Sequence, residues 1–123
     1  MKKIEHIGIA VKDLSKSNRL YAKLLGVEHY KIECVKSEGV NTSFFKVGEK
    51  KIELLEAMSP DSPIAKFIEK RGEGVHQIAF AVDDIGAEIE RLKTEGFELI
   101  HHKAKPGADG KLIANETPAN LEK

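Results

Sequence analysis

The sequence predicts an α+β fold in which one unit, a strand, a helix and three further strands, is written twice. Three observations carry this expectation. His6-Ile7-Gly8-Ile9-Ala10-Val11-Lys12-Asp13-Leu14 lines up with Gln77-Ile78-Ala79-Phe80-Ala81-Val82-Asp83-Asp84-Ile85 at a constant offset of 71 residues. Each stretch has an aspartate able to cap a helix as its last residue but one, Asp13 and Asp84, and apolar residues then recur at helical spacing: Leu14, Tyr21, Leu24 and Leu25 after the first, Ile85, Ile89 and Leu92 after the second. Finally, 123 residues with 41% hydrophobic content make one ordinary domain with a real core, and too little chain for two independent enzyme domains.

Taken in order, the first unit opens with a strand from His6 to Val11, and Gly26 stops the helix that follows. His29–Val35 is a mixed, weak strand pattern. Thr42–Val47 and Lys51–Ala57 are clearer strands, joined by a hairpin turn at Gly48-Glu49-Lys50. Ser59-Pro60-Asp61-Ser62-Pro63 is a break. Ser62 before Pro63 is a good helix start, and Ile64, Phe67 and Ile68 give that linker helix one apolar side before Gly72 and Gly74 close it. In the second unit Gly96 stops the helix, and Phe97–His102 and Lys111–Ala114 are candidate strands on either side of a turn-rich loop at 105–110. From Asn115 to Lys123 only Leu121 is a large apolar residue, so the last strand of this copy is expected to be atypical or incomplete. The expected organisation is a single domain, 1–123, with modules at about 1–58 and 73–123 and a linker helix at about 62–71. A module without its final strand leaves an open sheet edge, which a homodimer with an exchanged C-terminal segment would cover.

Composition narrows the function classes. Twenty basic residues balance twenty acidic ones, which argues against a broad nucleic-acid or anionic-membrane footprint. With no Trp and 6% aromatics, base-stacking platforms are not favoured. Cys34 is the only cysteine, so an intrachain disulfide and a Cys-rich zinc site are both excluded, and a reducing compartment fits. Glu5 and His6 interrupt the start after Met1-Lys2-Lys3, and apolar runs are too short to span a bilayer, so a cytoplasmic protein is expected. Phosphate loops, nucleophile elbows and paired zinc-protease histidines are absent from the sequence.

Strand alternation sorts the two repeated strands into faces. Ile7, Ile9 and Val11 share one face of the first, and Ile78, Phe80 and Val82 one face of the second; these bulky faces should pack on helices. The other faces begin with His6 and with Gln77 and continue with small residues, which leaves space for a ligand. A lone histidine at such a position is more often structural, but the same arrangement occurring twice favours a site. Glu53 adds to the set. It alternates with Ile52 and Leu54, and a Glu there is costly to bury unless paired or bound to a cation, although Glu56 could equally be the outward residue. Imidazole nitrogen, carboxylate oxygen and amide oxygen together suit a divalent cation of intermediate hardness, Co, Mn, Ni, Zn or Fe, that keeps positions open for water or substrate. His76, His29 and the His101-His102 pair are weaker candidates: His76 should point away from Gln77's face, and His29 is expected to be exposed.

On these residues the sequence resembles the vicinal oxygen chelate superfamily, in particular its methylmalonyl-CoA epimerase and glyoxalase-like members. The matching segments are His6-Ile7-Gly8-Ile9-Ala10-Val11, Lys51-Ile52-Glu53-Leu54-Leu55-Glu56, Asp61-Ser62-Pro63-Ile64-Ala65-Lys66-Phe67-Ile68 and Gly72-Glu73-Gly74-Val75-His76-Gln77-Ile78-Ala79-Phe80. The resemblance implies two βαβββ modules forming a cupped mixed sheet around a divalent metal with four protein ligands. His6 and Glu53 match the first module's ligand positions and Gln77 the second module's opening position, where epimerases usually carry His. The same offset carried from Glu53 falls one position past Lys123, so the fourth ligand is Glu122, or else Glu116. The resemblance also implies that the base comes from this closing region, where Glu122 is taken for it. The implied activity is epimerisation of methylmalonyl-CoA, an acyl-CoA whose acidic carbon lies between two carbonyl groups. A glyoxalase-like lyase and a non-catalytic small-molecule-binding module are the alternatives on the same fold.

Overall fold

The computed structural model describes the backbone of residues 3–99, 111–115 and 120–122 and the side chains of residues 3–97. The described elements run β1 (Lys3–Val11), α1 (Leu14–Leu25), β2 (Lys31–Val35), β3 (Val40–Val47), β4 (Lys50–Ala57), α2 (Pro63–Arg71), β5 (Gly74–Ala81), α3 (Ile85–Thr94), β6 (Glu98–Leu99), β7 (Lys111–Asn115) and β8 (Asn120–Glu122). The strand, helix, three-strand order is therefore present twice, with α2 between, in a mixed α/β fold.

Local chemistry sets the helix starts. Asp13 Oδ1 accepts from the Lys16 amide at 3.0 Å, and Asp84 Oδ1 does the same for Ala87 at 3.0 Å. Ser62 Oγ accepts from the Ala65 amide at 3.2 Å, with Pro63 at the first helical position, where its missing N–H costs nothing. Gly26 ends α1 in the left-handed region, φ 75°, its N–H bonding the Ala22 carbonyl. Losing such a cap typically costs about 1 kcal/mol. Asp13→Ala and Asp84→Ala should each lower the unfolding free energy by about that amount in urea denaturation.

By internal contacts the chain divides into two compact units, Ile7–His76 and the pair of segments Met1–His6 and Gln77–Lys123. In the first unit the strand order is β2-β3-β4-β1. β2, β3 and β4 form antiparallel pairs, and Val47 and Lys50 face each other across a tight turn at Gly48-Glu49. Two clusters cover the two faces. Val11, Leu14, Phe45 and Leu54 pack with Ile9, Tyr21, Ala22, Leu25 and Ile52 on the α1 side. Ala10, Val40, Leu55 and Ile64 pack with Phe67 and Ile68 on the α2 side. Leu54 and Leu55 are consecutive, so strand alternation alone places them in different clusters. The bulky face of β1 thus meets its helix as expected. Its small face is not all open space: Ala10 is fully buried in the α2 cluster.

The β2–β3 turn is tied to the residue after β4 and lies close to the residue that caps α2. Gly39 has φ +67°, its carbonyl accepts from the Met58 amide at 2.8 Å, and a Cβ on it would lie 3.0 Å from Ser62 Cβ.

In the second unit Ile89 and Leu92 of α3 pack with Val82 and Ile85. Its strands follow the order β5-β7-β8-β6, with β5–β7 and β7–β8 antiparallel and β6–β8 parallel. This departs from a strict repeat. In the first module the last strand, β4, lies beside the opening strand; in the second the penultimate strand, β7, does. The last strand exists but holds three residues, Asn120–Glu122. With Leu121 the one large apolar residue nearby, backbone pairing to β7 and β6 defines it rather than a side-chain pattern. The expected strand at Phe97–His102 is described only at Glu98–Leu99; 100–102 lie outside the described residues.

Candidate metal centre

His6 and Gln77 open the matching stretches of the repeat, and their side chains meet. Gln77 Nε2 lies 3.3 Å from His6 Nε2, across a sequence separation of 71 residues that equals the repeat offset. His6 is 5% exposed and Gln77 half-buried. On its other side, His6 Nδ1 is 2.5 Å from Glu5 Oε1. A carboxylate only accepts, so this contact places the ring proton on Nδ1 in the neutral imidazole. Nε2 then carries the lone pair, which accepts from the Gln77 amide N–H. Turning the Gln77 amide about its last bond exchanges N–H for carbonyl oxygen without moving the backbone. A cation could then take both the imidazole lone pair and the amide oxygen. The carboxylate–histidine arrangement is the one that orients imidazoles at metal sites. The residues present therefore fit a divalent cation.

Sequence reasoning does not single out Glu5. Alternation sends neighbouring side chains to opposite faces, which removes Glu5 from any face-based search. Only its adjacency to a candidate ligand histidine could have pointed to it.

Glu53 lies on β4 opposite Phe44 and is half-buried. It shares the strand face of Leu55, as the sequence pattern required. Glu56, the competing residue, has a structural role at the start of α1. Its Oε2 accepts from the Leu14 amide at 2.8 Å and its Oε1 from Asn41 Nδ2 at 3.2 Å, which anchors that helix end. Glu122 is on β8, opposite Ile113 of β7, and its side chain lies outside the described ones. β7 stands between β8 and β5, and the residue in register with Gln77 is Asn115. Glu116 and the His101-His102 pair lie outside the described residues. His76 packs edge-on against Phe67, ring centroids 4.9 Å apart. His29 is half-buried rather than exposed, its ring set edgewise 6.0 Å from Phe45. Both contacts are of the packing kind.

A family model for the glyoxalase/bleomycin resistance protein/dioxygenase superfamily matches residues 5–114. The chain belongs to this superfamily. It is similar to an uncharacterised protein, YqjC, of Bacillus subtilis, with 36% identity over 118 residues covering 96% of this chain and 84% of that one. It is 37% identical over 113 residues to the ethylmalonyl-CoA/methylmalonyl-CoA epimerase of Cereibacter sphaeroides, covering 90% of this chain and 84% of that protein. The mitochondrial methylmalonyl-CoA epimerases of cattle and human are longer, and the chain spans 64% of each. Among solved superfamily structures, a variant of the Streptomyces coelicolor methylmalonyl-CoA epimerase in complex with 2-nitronate-propionyl-CoA matches with a TM-score of 0.83 at 26% identity, covering 99% of this chain and 94% of that one. The superfamily resemblance read from the sequence is thus established. No helix among the described residues is long and apolar enough to cross a membrane.

Proposed function

We propose that this chain is a divalent-metal-dependent epimerase acting on methylmalonyl-CoA or a closely similar malonyl-type acyl-CoA. The observation that carries the reading is the His6–Gln77 contact, two donors at repeat-related positions, in a chain whose named relatives are epimerases of such thioesters. His6 Nε2, Glu53, Gln77 Oε1 and Glu122 are assigned as the metal ligands. The assignment of Glu53 and Glu122 rests on the superfamily resemblance. When bound, the cation supplies Lewis-acid polarisation of the substrate's carbonyl oxygens. The chain's own part is to hold the thioester and to move one proton. The carbon between two carbonyl groups is acidic, so a carboxylate suffices as base. Glu122 is assigned the removal of this proton, and a second group returns a proton to the opposite face of the carbon, which inverts the centre. Glu5 keeps the His6 proton on Nδ1, so that the lone pair stays on Nε2.

The test follows deuterium entering the central carbon of methylmalonyl-CoA in D2O by proton NMR, using protein stripped with chelator and then reloaded with Co or Mn. Exchange that requires both protein and metal is expected. Metal-loaded protein that gives no exchange above the metal alone would overturn the reading and favour the binding module.

The two less regular ligands can be tested together. An amide oxygen is a weaker donor than imidazole for the later first-row metals, so Gln77→His should tighten Co or Ni binding and raise exchange. Glu122→Gln should cut metal retention or turnover, because an amide neither neutralises the cation nor takes a proton. If Gln77→His leaves affinity unchanged and Glu122→Gln is silent, the four-ligand assignment is wrong.

A further inference from the structure

Between α1 and β2, within the first unit, lies a cavity of about 680 Å³ that the proposed metal centre does not use. Alternation along β4 sends Glu53 to one face of the sheet and Glu56 to the other, and it is Glu56 that stands on the cavity wall. The volume falls among those of pockets that hold small organic molecules, about 300–1,000 Å³. The polar groups of the wall are unequally spent. Asn18 lines the cavity and is 8% exposed. Its Oδ1 accepts from Ser43 Oγ at 2.6 Å, which leaves the Nδ2 donors, and among the described residues no side chain takes them. His29 also lines the cavity, and among the described residues its buried Nδ1 has no hydrogen-bond partner. A buried nitrogen without a partner is better tolerated as a bare lone pair than as an N–H, so the ring proton belongs on Nε2 and His29 is a donor as well. The acceptors are mostly occupied. Asp13 Oδ1 caps α1, and Glu56 takes the Leu14 amide and Asn41 Nδ2. Arg19, Lys23 and Glu28 remain, all exposed, with one net positive charge among them. Arg19 is held only by a long contact, 3.5 Å from Nη1 to Ser15 Oγ. Ile32 of β2 supplies apolar wall.

We propose that this cavity is a second binding site, for a small organic monoanion: one carboxylate joined to an apolar body. A carboxylate only accepts hydrogen bonds, so it answers the unspent donors of Asn18 and His29 and the planar fork of the Arg19 guanidinium. Its single charge matches the one net positive charge of the wall, and Glu28 opposes a second. The apolar body lies against Ile32. A neutral ligand of the same shape forfeits the bonds between ionised partners, which are the stronger ones. The site does not depend on the metal centre, and its occupation is expected with or without a cation.

Cinnamate titrated into the isotope-labelled full chain, followed by NMR, tests this. Saturable shifts of the Asn18 side-chain amide and of the His29 ring are expected, with the same affinity in chelator-stripped and in zinc-loaded protein. The stripped arm is needed because a carboxylate also binds metal ions. Cinnamamide, the neutral analogue, and phthalate, which carries two charges, should each bind at least about tenfold more weakly. Arg19→Gln changes an exposed side chain outside the core and should weaken cinnamate by about tenfold or more. Asn18→Asp keeps an acceptor for Ser43 but replaces the donors with a negative charge, and should weaken it at least as much. The proposal is overturned by an absence of saturable shifts in the stripped protein, by binding that needs zinc, by cinnamamide binding as tightly as cinnamate, or by an affinity indifferent to Arg19→Gln.

Discussion

His6→Ala is expected to remove stoichiometric metal from the purified protein while leaving the fold in place. The substitution deletes the imidazole lone pair assigned to the candidate centre. Loss of an outer-shell partner alone weakens metal binding by about 10–100-fold, so loss of a ligand should reduce affinity by at least about 100-fold. The effect on stability is smaller. Glu5 and Gln77 lose their contacts to His6, but both are half-buried and can rehydrate in part. The expected cost to folding is about 1–3 kcal/mol. Elemental analysis, deuterium exchange and a urea titration on one preparation separate these quantities. Metal retained at one equivalent by His6→Ala would remove His6 from the ligand set. Unfolding of the variant from a wild type that carries no metal would make His6 a core residue.

The largest stability effect belongs to Phe45→Ala. Phe45 is 0% exposed and sits with Val11, Leu14 and Leu54 at the centre of the α1-side cluster. Its ring also meets Tyr21 and His29, at centroid distances of 6.4 and 6.0 Å. Truncation removes those contacts and opens a cavity that a strand paired on both sides cannot collapse to fill. The expected loss is about 3–5 kcal/mol, a large part of the roughly 5–15 kcal/mol that typically holds a domain together. The urea midpoint should fall accordingly; a shift of less than about 1 kcal/mol would mean that the cluster repacks freely.

What is legible in the sequence is local or repeated. The caps at Asp13, Ser62 and Asp84 can be read because each involves one side chain and an amide three residues on. His6 and Gln77 can be read because one offset relates both positions. β2 is only faintly legible, since an edge strand exposed on both faces has no reason to alternate. The order β5-β7-β8-β6 is not legible, because β6 and β8 have two and three residues and their pairing is set by backbone groups common to every sequence. Glu5 escapes because its role comes from a side chain bending toward its neighbour, which no periodicity records. The partition between Glu53 and Glu56 needs the amide of Leu14, forty-two residues away in the chain, to settle Glu56's position.

The lack of room beside Gly39 has a bearing on how this chain can be re-engineered. Two hairpins present themselves as places to insert a tag, a reporter or a longer loop. At the Gly48-Glu49 tip, nothing lies within 4 Å of where a Gly48 side chain would begin, so added residues can extend into solvent. At Gly39, by contrast, the first added carbon meets Ser62, the residue that starts α2. An insertion there would have to push that helix start aside. The two glycine-bearing turns should therefore differ as insertion sites: the Gly48-Glu49 tip permissive, the Gly39 turn restrictive.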